Sequence, residues 1–131
     1  MRLTASAIEA IARDLMAELG AGYVESIYRN ALHKELVRLD PNAVMEQSAA
    51  IVFRGQYLGV CRADIVTTEF VIEVKALKTV PSGVEHQIRK YLKHFAEAEP
   101  LLRPRTGLVL NFNQCTEKVD ALQFAPAGAL P

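Results

Sequence analysis

The sequence predicts an α/β fold, a mixed sheet with helices on both faces, in the order αα-βββ-α-ββ. Three observations predict it. Before Asp40, two stretches carry apolar residues three and four apart, the period of a helix. From Ala43 to Leu77 the texture changes to Val, Ile, Phe and Tyr broken by turn residues, as in strands. After a third helical stretch comes GLVLNF, apolar almost throughout, as in a central strand covered on both faces.

The first helix lies in TASAIEAIARDLMAEL, with Ile8, Ile11, Leu15 and Leu19 on its buried stripe. Either Thr4 caps it or Ser6 and Glu9 form a capping box, and Gly20 ends it. The second runs from Tyr23 to Leu39, burying Val24, Ile27, Tyr28, Ala31, Leu32 and Leu36, and Asp40-Pro41-Asn42 stops it. Strands follow at 44–53, 57–66 and 70–77, with turns at Arg54-Gly55-Gln56 and near Thr68. Ser82 and Glu85 read as a capping box opening a helix over 83–97, with Val84, Ile88, Tyr91, Leu92 and Phe95 facing inward. EPLLRPRT is a loop, GLVLNF a central strand and KVDALQF an edge strand.

At 131 residues the expectation is one domain over 1–124, with 125–131 a flexible tail. Half the residues are hydrophobic, enough for a substantial core. No run of about 18 apolar residues occurs, so no membrane span is expected. Glu9, Arg13 and Asp14 interrupt the N-terminal stretch, which argues against a secretory signal. Cys61 and Cys115 match no ligand spacing and read as two buried free thiols of a cytoplasmic protein. Two cysteines exclude a cysteine-ligated iron–sulfur cluster or zinc ribbon within one chain.

Net charge is zero, but it is unevenly spread. Lys75 to Arg105 holds seven basic and three acidic residues, a local excess of four positive charges. Such an excess is commonly a solvated helix face. Beside an acidic site it also suits a phosphodiester substrate, with Arg89, Lys90 and Lys93 as candidate nucleic-acid contacts.

The acidic site is read from RADIVTTEFVIEVKALK. A two-residue turn at Thr68-Glu69 would pair Val66 with Val71 and Asp64 with Glu73. Alternation puts Glu73 and Lys75 on one face. Directly opposed residues have Cβ atoms about 5 Å apart, so two carboxylates there repel unless a cation lies between them. A hard divalent ion such as Mg²⁺ takes oxygen ligands at about 2.0–2.1 Å.

Asp64 followed by Glu73-Val74-Lys75 on the next strand resembles the PD-(D/E)XK nuclease superfamily. Gln87-x-x-x-Tyr91 is similar to the Gln-x-x-x-Tyr motif of its RecB-like branch. Gly22-x-x-Glu25-x-x-Tyr28 is similar to the signature of the GxxExxY protein family within it. The pieces stand in family order and cover about residues 4 to 113. Ala63 stands where the family commonly has proline.

The resemblance implies a restriction-endonuclease-like core and a metal-dependent nuclease acting on nucleic acid, DNA before RNA. It implies that Asp64 and Glu73, with the Val74 carbonyl, hold Mg²⁺ or Mn²⁺, and that Glu25 reaches the site as a further carboxylate and metal ligand. First-turn dipole compensation is the other reading of Glu25. Lys75 would orient or activate the attacking water. Gln87 and Tyr91 would position water, a ligand or phosphate, a core aromatic with its hydroxyl at the rim being the other reading of Tyr91, and Tyr28 would pack. His33, His86 and His94 share no metal-ligand spacing and read as rim residues. The competing class is a catalytically silent nucleic-acid-binding or protein-assembly module of the same fold. With no spare domain for base readout, specificity falls to nucleic-acid structure, a partner protein or the geometry of a homodimer.

Overall fold

The computed structural model describes residues 2–128. Its elements are α1 (Ala5–Leu19), α2 (Glu25–Leu39), β1 (Val44–Phe53), β2 (Gln56–Val66), β3 (Phe70–Lys75), α3 (Val84–Ala98), β4 (Thr106–Phe112) and β5 (Val119–Phe124). The five strands form one sheet in the order β1-β2-β3-β4-β5. Only β3 and β4 pair in parallel, and the other pairs are antiparallel. A parallel pair needs a crossover connection, and α3 supplies it.

The alternation of β3 and β4 sorts the core into two clusters. Ile72, Val74, Leu108, Leu110 and Phe112 pack with Ile8, Leu32 and Leu36 of α1 and α2. Val71 and Val109 pack with Val84, Ile88, Leu92 and Phe95 of α3. The α3 side is tight: a Cβ at Gly107 would lie 2.8 Å from Ile88 Cγ1. Ala127 packs at the border of this second cluster, while 129–131 of the expected flexible tail lie outside the described residues. Among the described residues no helix is long and apolar enough to cross a membrane.

Element boundaries depart from expectation where a glycine or a missing cap decides them. Thr4 caps α1, its hydroxyl accepting the Ala7 N–H at 3.1 Å. α2 begins at Glu25 rather than Tyr23, because Gly20 and Gly22 take positive φ and Val24 stays extended. Val24 and Ile27, expected in the buried stripe, are 68% and 41% exposed. Of the two cysteines expected to be buried, Cys61 is half-buried and Cys115, in the β4–β5 turn, is exposed. β3 ends at Lys75, where the Asn111 side chain binds both the Leu77 N–H and the Leu77 carbonyl. The Ser82 capping box does not form: α3 starts from Gly83 with no side-chain cap. Glu85 instead pairs with Arg89 at 2.9 Å.

Candidate functional site

The hairpin turn closes as the sequence predicts, with Val66 opposite Val71 and the Thr67 N–H donating to the Phe70 carbonyl at 2.9 Å. One row further on, ladder pairing stops. Ile65–Ile72 is paired, but Asp64 and Glu73 are not. On the other side Met45 pairs with Ile65 and Gln47 with Ala63, while Glu46, at φ 53°, is skipped. A glutamate in the left-handed region is uncommon and marks an imposed local geometry. Alternation also slips here, since Ala63 joins the α3-side cluster and Ile65 the cluster under α1 and α2.

Side chains take over the orphaned backbone donors. The Asp64 N–H donates to Glu73 Oε1 at 3.0 Å, and the Val74 N–H donates to Asp64 Oδ2 at 2.8 Å. The two carboxyls are thus locked beside each other by main-chain amides, and Lys75 Nζ lies 3.9 Å from Glu73 Oε2. Glu73 is only 4% exposed.

Burial raises the proton affinity of Asp64, Glu73 and Glu25, and the Asp64 charge adds to it at Glu73 and Glu25. Glu73 is pushed up to about 8, first by burial, then by the Asp64 charge and less by Glu25. Burial likewise raises Asp64, opposed by the Val74 N–H, Arg29 and Lys75. Burial and then the Asp64 charge raise Glu25, against Lys75 and Arg29. Glu25 therefore lies within electrostatic reach of Asp64 and Lys75 from α2. Its neighbours in that signature are structural. The Gly22 N–H docks on Gln114 Oε1 at 2.7 Å. Tyr28 is fully buried, stacks on Phe112 and donates its hydroxyl to the Gly20 carbonyl at 2.7 Å.

The donor set suits a hard divalent ion: paired, mutually repelling carboxylates with no thiolate or imidazole among them. Among the described residues no three His, Cys, Asp or Glu side chains stand at metal-binding geometry. That is compatible with Mg²⁺, which is usually held by one or two carboxylates and otherwise by water and substrate oxygens.

From the α3 side, Gln87 Nε2 donates to the Tyr91 hydroxyl at 3.1 Å. Burial and the Glu73 charge raise that hydroxyl's pKa, so the pair feels the site from this side. Lys75, Gln87, Tyr91, Lys90, His86 and His94 line one cleft of about 380 Å³. The three candidate cations part company. Lys90 faces this cleft, Arg89 pairs with Glu85 and lies over the Phe124 ring, and Lys93 is exposed elsewhere.

Sequence reasoning missed Arg29 and Glu46. Arg29 bonds Glu46 Oε1 at 3.0 Å and lowers both Asp64 and Glu25. Its spacing from Glu25, one helical turn, was the available signal. Asn111 was also missed. It is fully buried, holds Leu77 and donates to Asp120 Oδ2 at 3.0 Å. A lone amide in an apolar central strand was its signal.

The fold resembles the crystal structure of SSO0001, with a TM-score of 0.52 at 20% identity, covering 77% of this chain and 49% of that one. The chain thus spans about half the length of that protein. No curated protein matches it significantly. A family model described as the PD-(D/E)XK nuclease superfamily matches residues 2–123, nearly all of the chain and every element above except the end of β5. The chain belongs to the PD-(D/E)XK nuclease superfamily.

Proposed function

We propose that the protein is a metal-dependent nuclease of the GxxExxY family in the RecB-like branch, hydrolysing phosphodiester bonds of DNA in preference to RNA in the cytoplasm. The observation that carries this reading is the interrupted row of the sheet. There Asp64 and Glu73 hold each other's main-chain amides beside Lys75. A fold that keeps these charges buried needs compensation for their desolvation, and a bound cation provides it.

Asp64, Glu73 and the Val74 carbonyl would hold Mg²⁺ or Mn²⁺, with Glu25 as an outer carboxylate. The ion would lower the pKa of a bound water and polarise the phosphoryl oxygens. Lys75 orients and helps activate the water and offsets charge gathering on the phosphate. Gln87, fixed by Tyr91, positions the water or the phosphate from the α3 side. The water oxygen bonds to phosphorus, the bond to one bridging oxygen breaks, and the water's proton leaves as the departing oxygen gains one.

The test is cleavage of a panel of single- and double-stranded DNA and RNA with Mg²⁺, Mn²⁺ or a chelator. Metal-dependent cleavage with DNA preferred is expected. Divalent-ion binding without cleavage of any substrate would transfer the site to a silent binding or assembly module.

A further inference from the structure

The cleft between α3 and the β1–β2 hairpin adjoins the carboxylates but differs from them in chemistry. Ile51, Cys61, Pro81 and Val84 supply apolar wall, and Lys75 and Lys90 supply charge. Among the described residues no carboxylate lines it. The first turn of α3 borders it without a side-chain cap, and its Val84 N–H is taken by the Pro81 carbonyl at 3.2 Å. His94 also lines it, and His94 Nδ1 is buried with no hydrogen-bond partner. Its nearest acid, Glu97, stands 3.8 Å off.

Apolar walls beside the Lys75 and Lys90 ammonium groups fit a base and sugar carrying a phosphate. At about 380 Å³ the cleft lies near the lower end of small-molecule sites, roughly 300–1,000 Å³. It has room for one nucleotide and none for a duplex, whose major groove alone is about 12 Å wide. At the hairpin tip Phe53, two residues beyond Ile51 on β1, is 55% exposed, whereas Tyr57 pairs with Val52 and faces the other side. Arg54 lies over the Phe53 ring, and no acid occurs between Glu46 and Asp64. An exposed aromatic ring beside an arginine can stack an unpaired base.

We propose that this cleft seats one unpaired nucleotide of single-stranded DNA next to the scissile phosphate, so that the substrate is a single strand or an unpaired flap rather than intact duplex. The proposal rests on the nuclease reading for the identity of the neighbouring site, but it can be tested without catalysis.

The full chain is titrated in chelator with a fluorescein-labelled oligodeoxynucleotide of about 12 nucleotides, single-stranded or annealed to its complement, and anisotropy is read. Single-strand binding about tenfold tighter than duplex binding is expected, the scale of one stacked base. Ile51→Trp, which fills the cleft, and Lys90→Gln should each weaken single-strand binding about tenfold and duplex binding by less. Lys90→Gln should also reduce the salt slope by about one. Lys90 is exposed, so that variant tests the proposal even if Ile51→Trp fails to fold. Duplex binding as tight as single-strand binding, or an unaffected Lys90→Gln, overturns the proposal. Tighter binding of RNA of the same sequence overturns the choice of DNA. Single-strand preference without cleavage in Mg²⁺ supports the cleft and sinks the nuclease reading, and cleavage confined to duplex does the reverse.

Discussion

Glu73 and Lys75 stand two residues apart on a strand that is otherwise buried and apolar, and they are held differently. Glu73 is fixed by a main-chain amide, whereas Lys75 touches it only at 3.9 Å and keeps its ammonium free for other work. Lys75 lowers the proton affinity of Glu73, Asp64 and Glu25 in the metal-free protein. Lys75→Met keeps the stem and removes that charge. All three carboxyls should then titrate higher in the metal-free protein, as NMR of the side-chain carboxyl carbons would show. Mn²⁺ binding by calorimetry should persist while hydrolysis falls by roughly a hundredfold or more. Asp64→Ala should lose metal and hydrolysis together. Cleavage by Lys75→Met at the parent rate would remove Lys75 from the chemistry. The shared face of Glu73 and Lys75 is readable from sequence because spacing along one strand fixes it. Arg29 and Glu46 come from two other elements, and no spacing brings them to Asp64.

Helix ends and helix seats set how firmly the elements hold the site. The Thr4 cap is made and the Ser82 cap is not. Thr4→Ala should therefore cost about 1 kcal/mol in chemical denaturation. Ser82→Ala should stay within about 0.5 kcal/mol of the parent. An equal loss in both variants would contradict the assigned caps. The motif S-x-x-E was present in both stretches of sequence, but Gly83 and the Glu85–Arg89 pair decide its use in the second. At Gly107, α3 lies against β4 so closely that a methyl group would meet Ile88 Cγ1 at 2.8 Å and Leu92 Cδ1 at 3.0 Å. Gly107→Ala should cost about 1–3 kcal/mol through overpacking. Because α3 carries Gln87, Tyr91 and Lys90, the same variant should weaken nucleic-acid binding. A variant as stable as the parent would show that α3 can shift freely.

Across the whole molecule, the carboxylate group ties stability to pH and to metal. In the unfolded chain Glu73 ionises near its ordinary value of 4.5, and in the folded chain near 8. Between those values the unfolded state has released a proton that the folded state retains. Stability of the metal-free protein should therefore fall as pH rises through this window. Asp64 and Glu25 shift in the same direction and add to it. A divalent ion replaces the proton, so its stabilisation should grow with pH. Calorimetric melting from pH 5 to 8, with chelator and with Mg²⁺ or Mn²⁺, reads both trends. A flat metal-free profile, or an ion effect independent of pH, would dissolve the coupled site. The basic excess also resolves at this scale. Lys75 and Lys90 meet at the cleft, while Arg105, beyond the far end of β3, bonds Glu99 and the Thr67 carbonyl.

Local patterns settled the element order, the hairpin turn and the two-faced burial of β4. Helical period, strand alternation and turn chemistry act over a few residues and need no partner to be read. The sequence by itself also determined the placement of Asp64, Glu73 and Lys75 around one turn, and of Gln87 and Tyr91 on one helix face. Only the tertiary structure decided that ladder pairing stops at Asp64, with carboxylates taking the place of carbonyls. It also decided that Val24 and Ile27 stay outside, and that Arg89 turns to Phe124 while Lys90 turns to the site. Those outcomes depend on which elements arrive as neighbours. A charge's role follows from the burial and the opposing charges it meets there, and neither is encoded within reach of the residue itself.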